Sequence, residues 1–236
     1  MIRGEGSSEL VPLVAAAHEL KSPLALVRQL MLRLDDESLT DAQRKVLIER
    51  AVLTSERGLR LTNDLTKAAR LEDALFSLEP INPEQVCVDV ASELTPLFAA
   101  YGRQVTVKSR KHPLLLVANR DLLRRILIGF SDNALKYSET NVAVELQVKA
   151  FKQAGMVRIG VRDYGPALSS DMWRTLQEKL RVAPQAVHAR PESSGLGLYI
   201  ASQFAEAMNG RIGAIRHKDG ATFYVELQAS TQMSLL

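Results

Sequence analysis

The sequence predicts an α+β protein: a two-helix hairpin followed by an α/β sandwich in which helices cover one face of a sheet. Three observations predict it. Apolar residues recur at spacings of three and four from Leu10 to Ala68, the pattern of one helix face. After Asp73, β-rich and helical runs are mixed without regular alternation, as in an α+β sandwich. The 236 residues, 46% hydrophobic and 24% charged, have the composition and length to bury a core in one large domain or two modest ones.

The first helix carries the stripe Leu10, Leu13, Val14, Ala17, Leu20, Leu24, Val27, Met31 and Leu34. Pro12 suits the first helical position, where its missing N–H costs nothing. The polar stretch 35–40 reads as a turn, with Thr40 the N-cap of a second helix. That helix has a heptad-like seam: Leu47, Ala51, Thr54, Gly58, Leu61, Leu65 and Ala68. Two helices cannot bury both of their apolar faces, so the hairpin is expected either to pair with a second copy as a four-helix bundle or to pack on the rest of the chain. Then follow a short strand at 76–78, a helix over 84–99 behind Pro80 and Pro83, and strands at 104–108 and 114–118. A helix over 120–137, strands at 142–151 and 156–162, and an irregular stretch come next. A helix over 196–208 and strands at 212–216 and 222–228 complete the chain. The expected divisions are a flexible start (1–9), the hairpin (10–72), the sandwich (73–230) and a short tail (231–236).

The net charge of +3 is mildly basic, and no dense Lys/Arg block with interleaved aromatics appears, so nucleic-acid binding is not expected. Cys87 is the only cysteine, which excludes an internal disulfide; among Val86, Val88 and Val90 it reads as a buried structural thiol. No apolar run approaches the roughly 20 residues of a membrane span, and the first residues lack a secretory signal. The expected setting is cytoplasmic.

Three segments carry candidate chemistry. In the first, His18 is followed by Glu19 and, five positions on, by Pro23. Alone, His18 reads as an ordinary histidine at a bundle surface. Glu19, however, is suited to orient the imidazole and accept its Nδ1 proton, leaving Nε2 as the nucleophile. Pro23 removes a backbone donor just beyond, at a cost of about 3 kcal/mol in a helix interior. Lys21 and Arg28 add positive charge. The second segment closes the helix over 120–137: Asn133 offers a hard amide oxygen suited to hydrated magnesium, Lys136 a phosphate contact and Tyr137 a flat face for a base. The third comprises two glycine turns. Asp163 and Gly165 follow a strand, where a carboxylate can accept from an exocyclic amine. Ser194, Gly195, Leu196, Gly197 and Leu198 open a helix whose free N–H groups and dipole suit phosphate. Each segment alone also reads as a plain turn or helix end.

Together they resemble one family. His18-Glu19-Leu20-Lys21-Ser22-Pro23-Leu24 resembles the phosphoacceptor box of sensor histidine kinases, usually His-Glu-Leu-Arg-Thr-Pro-Leu. The segments around Asn133, Asp163 and Gly195 resemble, in the same order, the asparagine box and glycine boxes of the ATP-binding domain in that family, which is of the gyrase/heat-shock/histidine-kinase type. The resemblance runs from about Leu10 to Leu227. It implies ATP and Mg2+ as cofactors, His18 and Glu19 as catalytic residues, Asn133 as the magnesium ligand, Lys136 at phosphate, Tyr137 at the adenine and Asp163 as its reader. It also implies a homodimer through the hairpin, and transfer of the phosphoryl group to an aspartate of a response-regulator receiver domain.

The chain departs from the family pattern in four places. Ser22 keeps a hydroxyl where Thr or Asn often assists hydrolysis of the phosphorylated partner, so a phosphatase role stays open. Ala167 replaces the usual second glycine, and Gly129 stands where a second asparagine often does, one turn before Asn133. The region between Pro166 and Gly195, corresponding to the lid over ATP, has 177–184 in place of a Phe-containing segment; Arg190 is a candidate phosphate contact there. These departures motivate a second reading, a signalling scaffold or phosphotransfer module with a degenerate nucleotide domain. An ATP-driven clamp of the gyrase and heat-shock group is a third, but it leaves His18 unexplained. His112, His188 and His217 read as surface histidines, and Trp173 as an amphipathic-helix anchor.

Overall fold

The computed structural model describes residues 6–71, 76–108, 114–138, 142–182 and 196–231, excepting the side chains of 6–15, His18, Tyr137, Lys179, Arg181 and Val182. Two long helices, α1 (Gly6–Leu34) and α2 (Asp41–Ala68), form the hairpin. Thr40 caps α2 as expected, in a reciprocal box with Gln43 that satisfies two otherwise unpaired donors. Pro12 is not at a helix start, because α1 begins at Gly6 and continues through both Pro12 and Pro23. A proline forfeits only its own N–H bond and strains the preceding turn, so a long helix can carry it, as α3 (Pro83–Ala100) also carries Pro96. Pro23 faces Gly58: a Cβ added to Gly58 would stand 3.5 Å from the proline ring.

The two apolar patterns of the hairpin divide their faces differently from the expectation. On α1 the buried side is Leu30 with Leu26 and Leu34, which pack on Leu47 and Ala51 of α2. Leu24 and Met31 of the expected stripe are 68% and 53% exposed. The seam of α2 is used by the chain itself, since Leu61, Leu65 and Ala68 pack against the main core. Ile48, Val52 and Leu59, on another side of α2, remain exposed. A two-helix unit buries only the side that meets its own chain, and the other side keeps its apolar residues in solvent.

The sandwich contains β1 (Glu79–Ile81), α3, β2 (Val105–Lys108), β3 (Leu116–Ala118), α4 (Arg120–Tyr137), β4 (Val144–Phe151), β5 (Met156–Tyr164), α5 (Ser170–Val182), α6 (Leu196–Ala207), β6 (Arg211–His217) and β7 (Gly220–Gln228). Five strands form one sheet in the order β2-β4-β5-β7-β6, with β2 parallel to β4 and every other pair antiparallel; β1 and β3 make a separate antiparallel pair. The first strand lies three residues later than expected, because Ile81 pairs with Leu116 while Phe76 and Leu78 pack on the core instead. Pro80 is tolerated there, since a two-stranded pair leaves its missing donor on an edge. The stretch expected to be irregular contains α5, whose Trp173 does pack against the core.

Alternation places the core. Val157, Ile159 and Val161 of β5 lie opposite Leu227, Val225 and Phe223 of β7, and all six are buried. Leu94 and Phe98 of α3, Leu123 and Leu127 of α4, and Phe204 of α6 complete that core cluster. Each such side chain contributes about 1.5–3 kcal/mol by leaving water. Cys87 is fully buried in α3, and burial pushes its thiol up to about 12.

Residues between the core positions of β5 and β7 form a charged lattice. Glu226 accepts from Arg158 at 2.6 Å and from Arg211 at 2.8 Å, and the Arg158 guanidinium stacks 3.9 Å from the Tyr224 ring centroid. Gly213 makes room for that ring, as a Cβ there would lie 2.4 Å from it. Burial alone would raise the Glu226 pKa, but the two arginines outweigh it and hold it below the ordinary value.

Two measurements check these statements. Cys87 is expected to resist a thiol reagent in the folded protein and to react at the free-thiol rate only in denaturant. Because the folded-state pKa of Glu226 is depressed, its contribution is present above the unfolded carboxylate pKa and is lost as pH falls through the folded one. Denaturation of Glu226→Gln is therefore expected to show a stability loss at neutral pH that narrows toward wild type in acid.

Candidate functional site

The site forms where the hairpin meets α4 and α6. Asn119 caps α4, its side chain accepting from Leu122 N at 3.1 Å, and the helix then runs without interruption to Tyr137. Its inner side, Leu123, Leu127, Phe130 and Ala134, is buried. Its other side presents Arg125, Asp132, Asn133 and Lys136 to a cleft of about 880 Å³, open solvent at its mouth included. The opposite wall comes from Glu19 and Ser22 on α1 and from Arg57, Arg60 and Asp64 on α2, while Gly197 of α6 closes one end.

Charged contacts hold the two walls together. Arg57 Nε lies 3.2 Å from Asp132 Oδ2. Arg125 bridges Asp64 of α2 and Asp121 of α4, and Lys67 of α2 binds Asp121 as well. Farther along α2, Arg50 Nε donates to the Ala100 carbonyl at 2.8 Å, and Thr54 Oγ1 meets the Tyr101 hydroxyl at 3.1 Å. Burial raises the Asp64 pKa against the pull of Arg125, whereas for Asp121 the hydrogen bonds from Lys67 and Arg125 overcome burial and lower it.

Of the residues singled out in the sequence, Glu19, Ser22, Asn133, Lys136 and Gly197 border this one cleft. Lys136 Nζ stands 3.6 Å from Glu19 Oε2, joining the histidine segment to the asparagine box. His18 occupies α1 immediately before Glu19, and Tyr137 ends α4; their side chains are outside the described ones. Lys21 and Arg28 are exposed. Ser194 and Gly195 lie outside the described residues, as do His112, His188 and Arg190. Leu196 opens α6 as expected, but the side chains of Leu196 and Leu198 are buried in the core, which leaves only their backbone for a ligand. Gly197 lies beside the asparagine: a Cβ added to it would stand 3.8 Å from Asn133 Nδ2, an ordinary contact distance.

Asp163 is not part of this cleft. It lies near the end of β5, 3% exposed, its Oδ1 accepting from Ala221 N at 3.1 Å. Gly220 has φ +126°, and a Cβ there would lie 2.3 Å from the Asp163 carbonyl oxygen, so only glycine lets the β6–β7 turn close over it. Arg162 is buried beside it, donating to the Asp163 carbonyl, pairing with Asp219 and stacking 4.2 Å from the Tyr164 centroid. Gly165 N donates to Asp219 O at 3.2 Å, and Ala167 is exposed. Sequence reasoning missed Arg57, Arg60, Asp64, Arg125 and Gly220. The charged positions had a signal, since 57, 60 and 64 recur at helical spacing and 121 and 125 are one turn apart, but an isolated helix shows such charges as a solvated face.

Magnesium typically takes only one or two protein oxygens and otherwise binds phosphates and water. Among the described residues no cluster of three or more His, Cys, Asp or Glu could hold a metal. The single amide of Asn133 at the cleft suits that sparse mode of binding.

A helical hairpin is joined to a sheet covered by helices, and Asn133 and Gly197 border one cleft between them. Residues 118–231 match the family described as histidine kinase-, DNA gyrase B-, and HSP90-like ATPase. The sensor protein GacS of Pseudomonas syringae pv. syringae is 28% identical over 222 residues, covering 90% of this chain and 24% of that protein. The histidine protein kinase SaeS of Staphylococcus epidermidis is 25% identical over 218 residues, covering 90% of this chain and 61% of that protein. The crystal structure of full-length ShkA in complex with AMPPNP superposes with a TM-score of 0.62 at 28% identity, over 96% of this chain and 47% of that one. Residues 118–231 therefore form an ATPase domain of the matched family, and the similarity of nearly the whole chain to sensor histidine kinases supports a histidine kinase catalytic core. It spans about a quarter to three-fifths of the length of these curated relatives. No helix among the described residues is long and apolar enough to cross a membrane.

The polar seam between α2 and α4 yields a prediction. Arg125→Ala leaves Asp64 partly buried without its guanidinium, and is expected to cost about 1.5–3 kcal/mol. Urea denaturation checks the value, and the same variant should make α2 amides exchange faster with deuterium.

Proposed function

We propose that this chain is an ATP-dependent protein histidine kinase of a two-component system, which phosphorylates His18 and passes the phosphoryl group to an aspartate of a response-regulator receiver domain. The observation that carries the reading is the approach of Lys136 to Glu19 across the cleft at 3.6 Å. A lysine suited to phosphate and a carboxylate suited to an imidazole proton meet only if nucleotide and phosphoacceptor share one reaction space. The pair is long, at 3.6 Å, so an arriving phosphate can compete with Glu19 for Lys136.

In this reading Asn133 holds magnesium, which neutralises phosphate charge when bound, and Lys136 steadies the transferred group. The backbone N–H groups from Ser194 to Leu198 bind phosphate at the start of α6, where the helix dipole favours an anion. Asp163 accepts from the exocyclic amine of adenine, Gly165 lets the base approach, and Tyr137 lines its pocket. Glu19 takes the imidazole proton of His18 during attack. Ser22 borders the same cleft and is the residue to examine for phosphatase activity. A second copy of the hairpin would cover Leu24, Met31, Ile48, Val52 and Leu59, the apolar side the chain leaves exposed.

Incubation with γ-labelled ATP and Mg2+ is expected to place an acid-labile, base-stable label on the protein. His18→Ala and Asn133→Ala should each abolish it, and chelation of Mg2+ should do the same. An unlabelled wild-type protein that still binds nucleotide, or label persisting in His18→Ala, would sink the reading.

A further inference from the structure

Four cations line the cleft between hairpin and sandwich, Arg57, Arg60, Arg125 and Lys136, against three carboxylates, Glu19, Asp64 and Asp132. Each carboxylate has its own cation: Lys136 for Glu19, Arg125 for Asp64 and Arg57 for Asp132. Arg60 adds its charge to that of Arg125 near Asp64, but among the described residues it makes no ion pair within 4.0 Å, and its Nε is buried without a hydrogen-bond partner, as is Asp132 Oδ1. A desolvated donor left without a partner is destabilising, so the site gains when an acceptor arrives.

The register of the two helices shows where that acceptor would sit. Arg57 of α2 meets Asp132 of α4, and Asp64, seven residues on, meets Arg125, seven residues back. The helices therefore run antiparallel, and Arg60 comes level with 128–129. Gly129 stands there with no side chain, and a Cβ added to it would find no atom within 4 Å. The space faces Asn133, one helical turn on, and Lys136 beyond it.

We propose that Arg60 is a catalytic residue, its guanidinium reaching from the hairpin past Gly129 to bind the terminal phosphoryl group as it moves from nucleotide to His18. The inference rests on the kinase reading above. In the step, the bond from the γ-phosphorus to the β,γ-bridging oxygen breaks and its electron pair leaves with ADP. A P–N bond forms to the imidazole, whose proton passes to Glu19. Arg60 exchanges no proton in the step, and its planar fork matches two phosphate oxygens. A cation delivered by the hairpin would also make full charge neutralisation depend on the docked arrangement.

The test compares ADP, which lacks the γ-phosphate, with AMPPNP, which carries its analogue. In Arg60→Met, ADP affinity is expected to match wild type and AMPPNP affinity to fall several-fold. The maximal rate of His18 labelling should fall on the order of 10²-fold, as for loss of one transition-state donor. Arg60→Lys should recover part of the rate, and it stands in if the methionine variant does not fold. Unchanged labelling, or equal weakening of ADP and AMPPNP, overturns the proposal. Asn133→Ala run alongside separates the two readings: if wild type itself takes no label on His18, the kinase reading is what fails.

Discussion

The charge pairs between α2 and α4 govern the cleft, at a border where the hairpin also packs on α3 and α6. Arg57 with Asp132, Arg125 with Asp64 and Lys67 with Asp121 set the register of one helix against the other, and Leu61 and Leu65 pack on the core. With those pairs in place, Glu19 faces Lys136, and Arg60 comes level with Gly129 in register. A one-turn slip would separate both. Arg57, Asp132, Arg125 and Asp64 are mostly buried, so removing one partner leaves the other poorly solvated, and the seam is specific in register.

The sandwich behind the seam is held by apolar packing. Its cross-strand apolar pairs, Val157 with Leu227, Ile159 with Val225 and Val161 with Phe223, are buried beneath α3, α4 and α6. Asp163 belongs to this part, locked by Ala221 and by the close approach at Gly220. The base-reading end of the proposed nucleotide site thus lies on the sheet. The phosphate end lies at the border with the hairpin, where the structure is held by charges. Chemistry at the phosphate end can therefore respond to the position of the hairpin without disturbing the other end.

The hairpin shows how far a periodic pattern reaches. Its helical character and the Thr40 cap were legible, because spacing and capping chemistry are local. Which face would be buried was not, since a heptad seam reads alike whether it meets a second hairpin or the chain's own core. Leu61 and Leu65 met the core, and Leu24 and Met31 were left outward. Pro12 misled for a related reason: a favourable first-turn position is only a preference, and the helix passed through it.

What the sequence alone determined is which contiguous segments carry candidate chemistry: the histidine segment, the asparagine segment on α4, the turn at Asp163 and the glycine segment at the start of α6. Local order and residue type suffice for these, because each segment is a few residues of one element. The tertiary structure alone decided which segments share a cleft, and it joined Glu19 to Lys136 while leaving Asp163 on the sheet. It alone also distinguished Arg60 from Arg57, since the difference between them is whether a carboxylate more than sixty residues away in the chain stands within reach. Charge pairing across two helices depends on their register, and register is a property of packed surfaces that no single helix encodes.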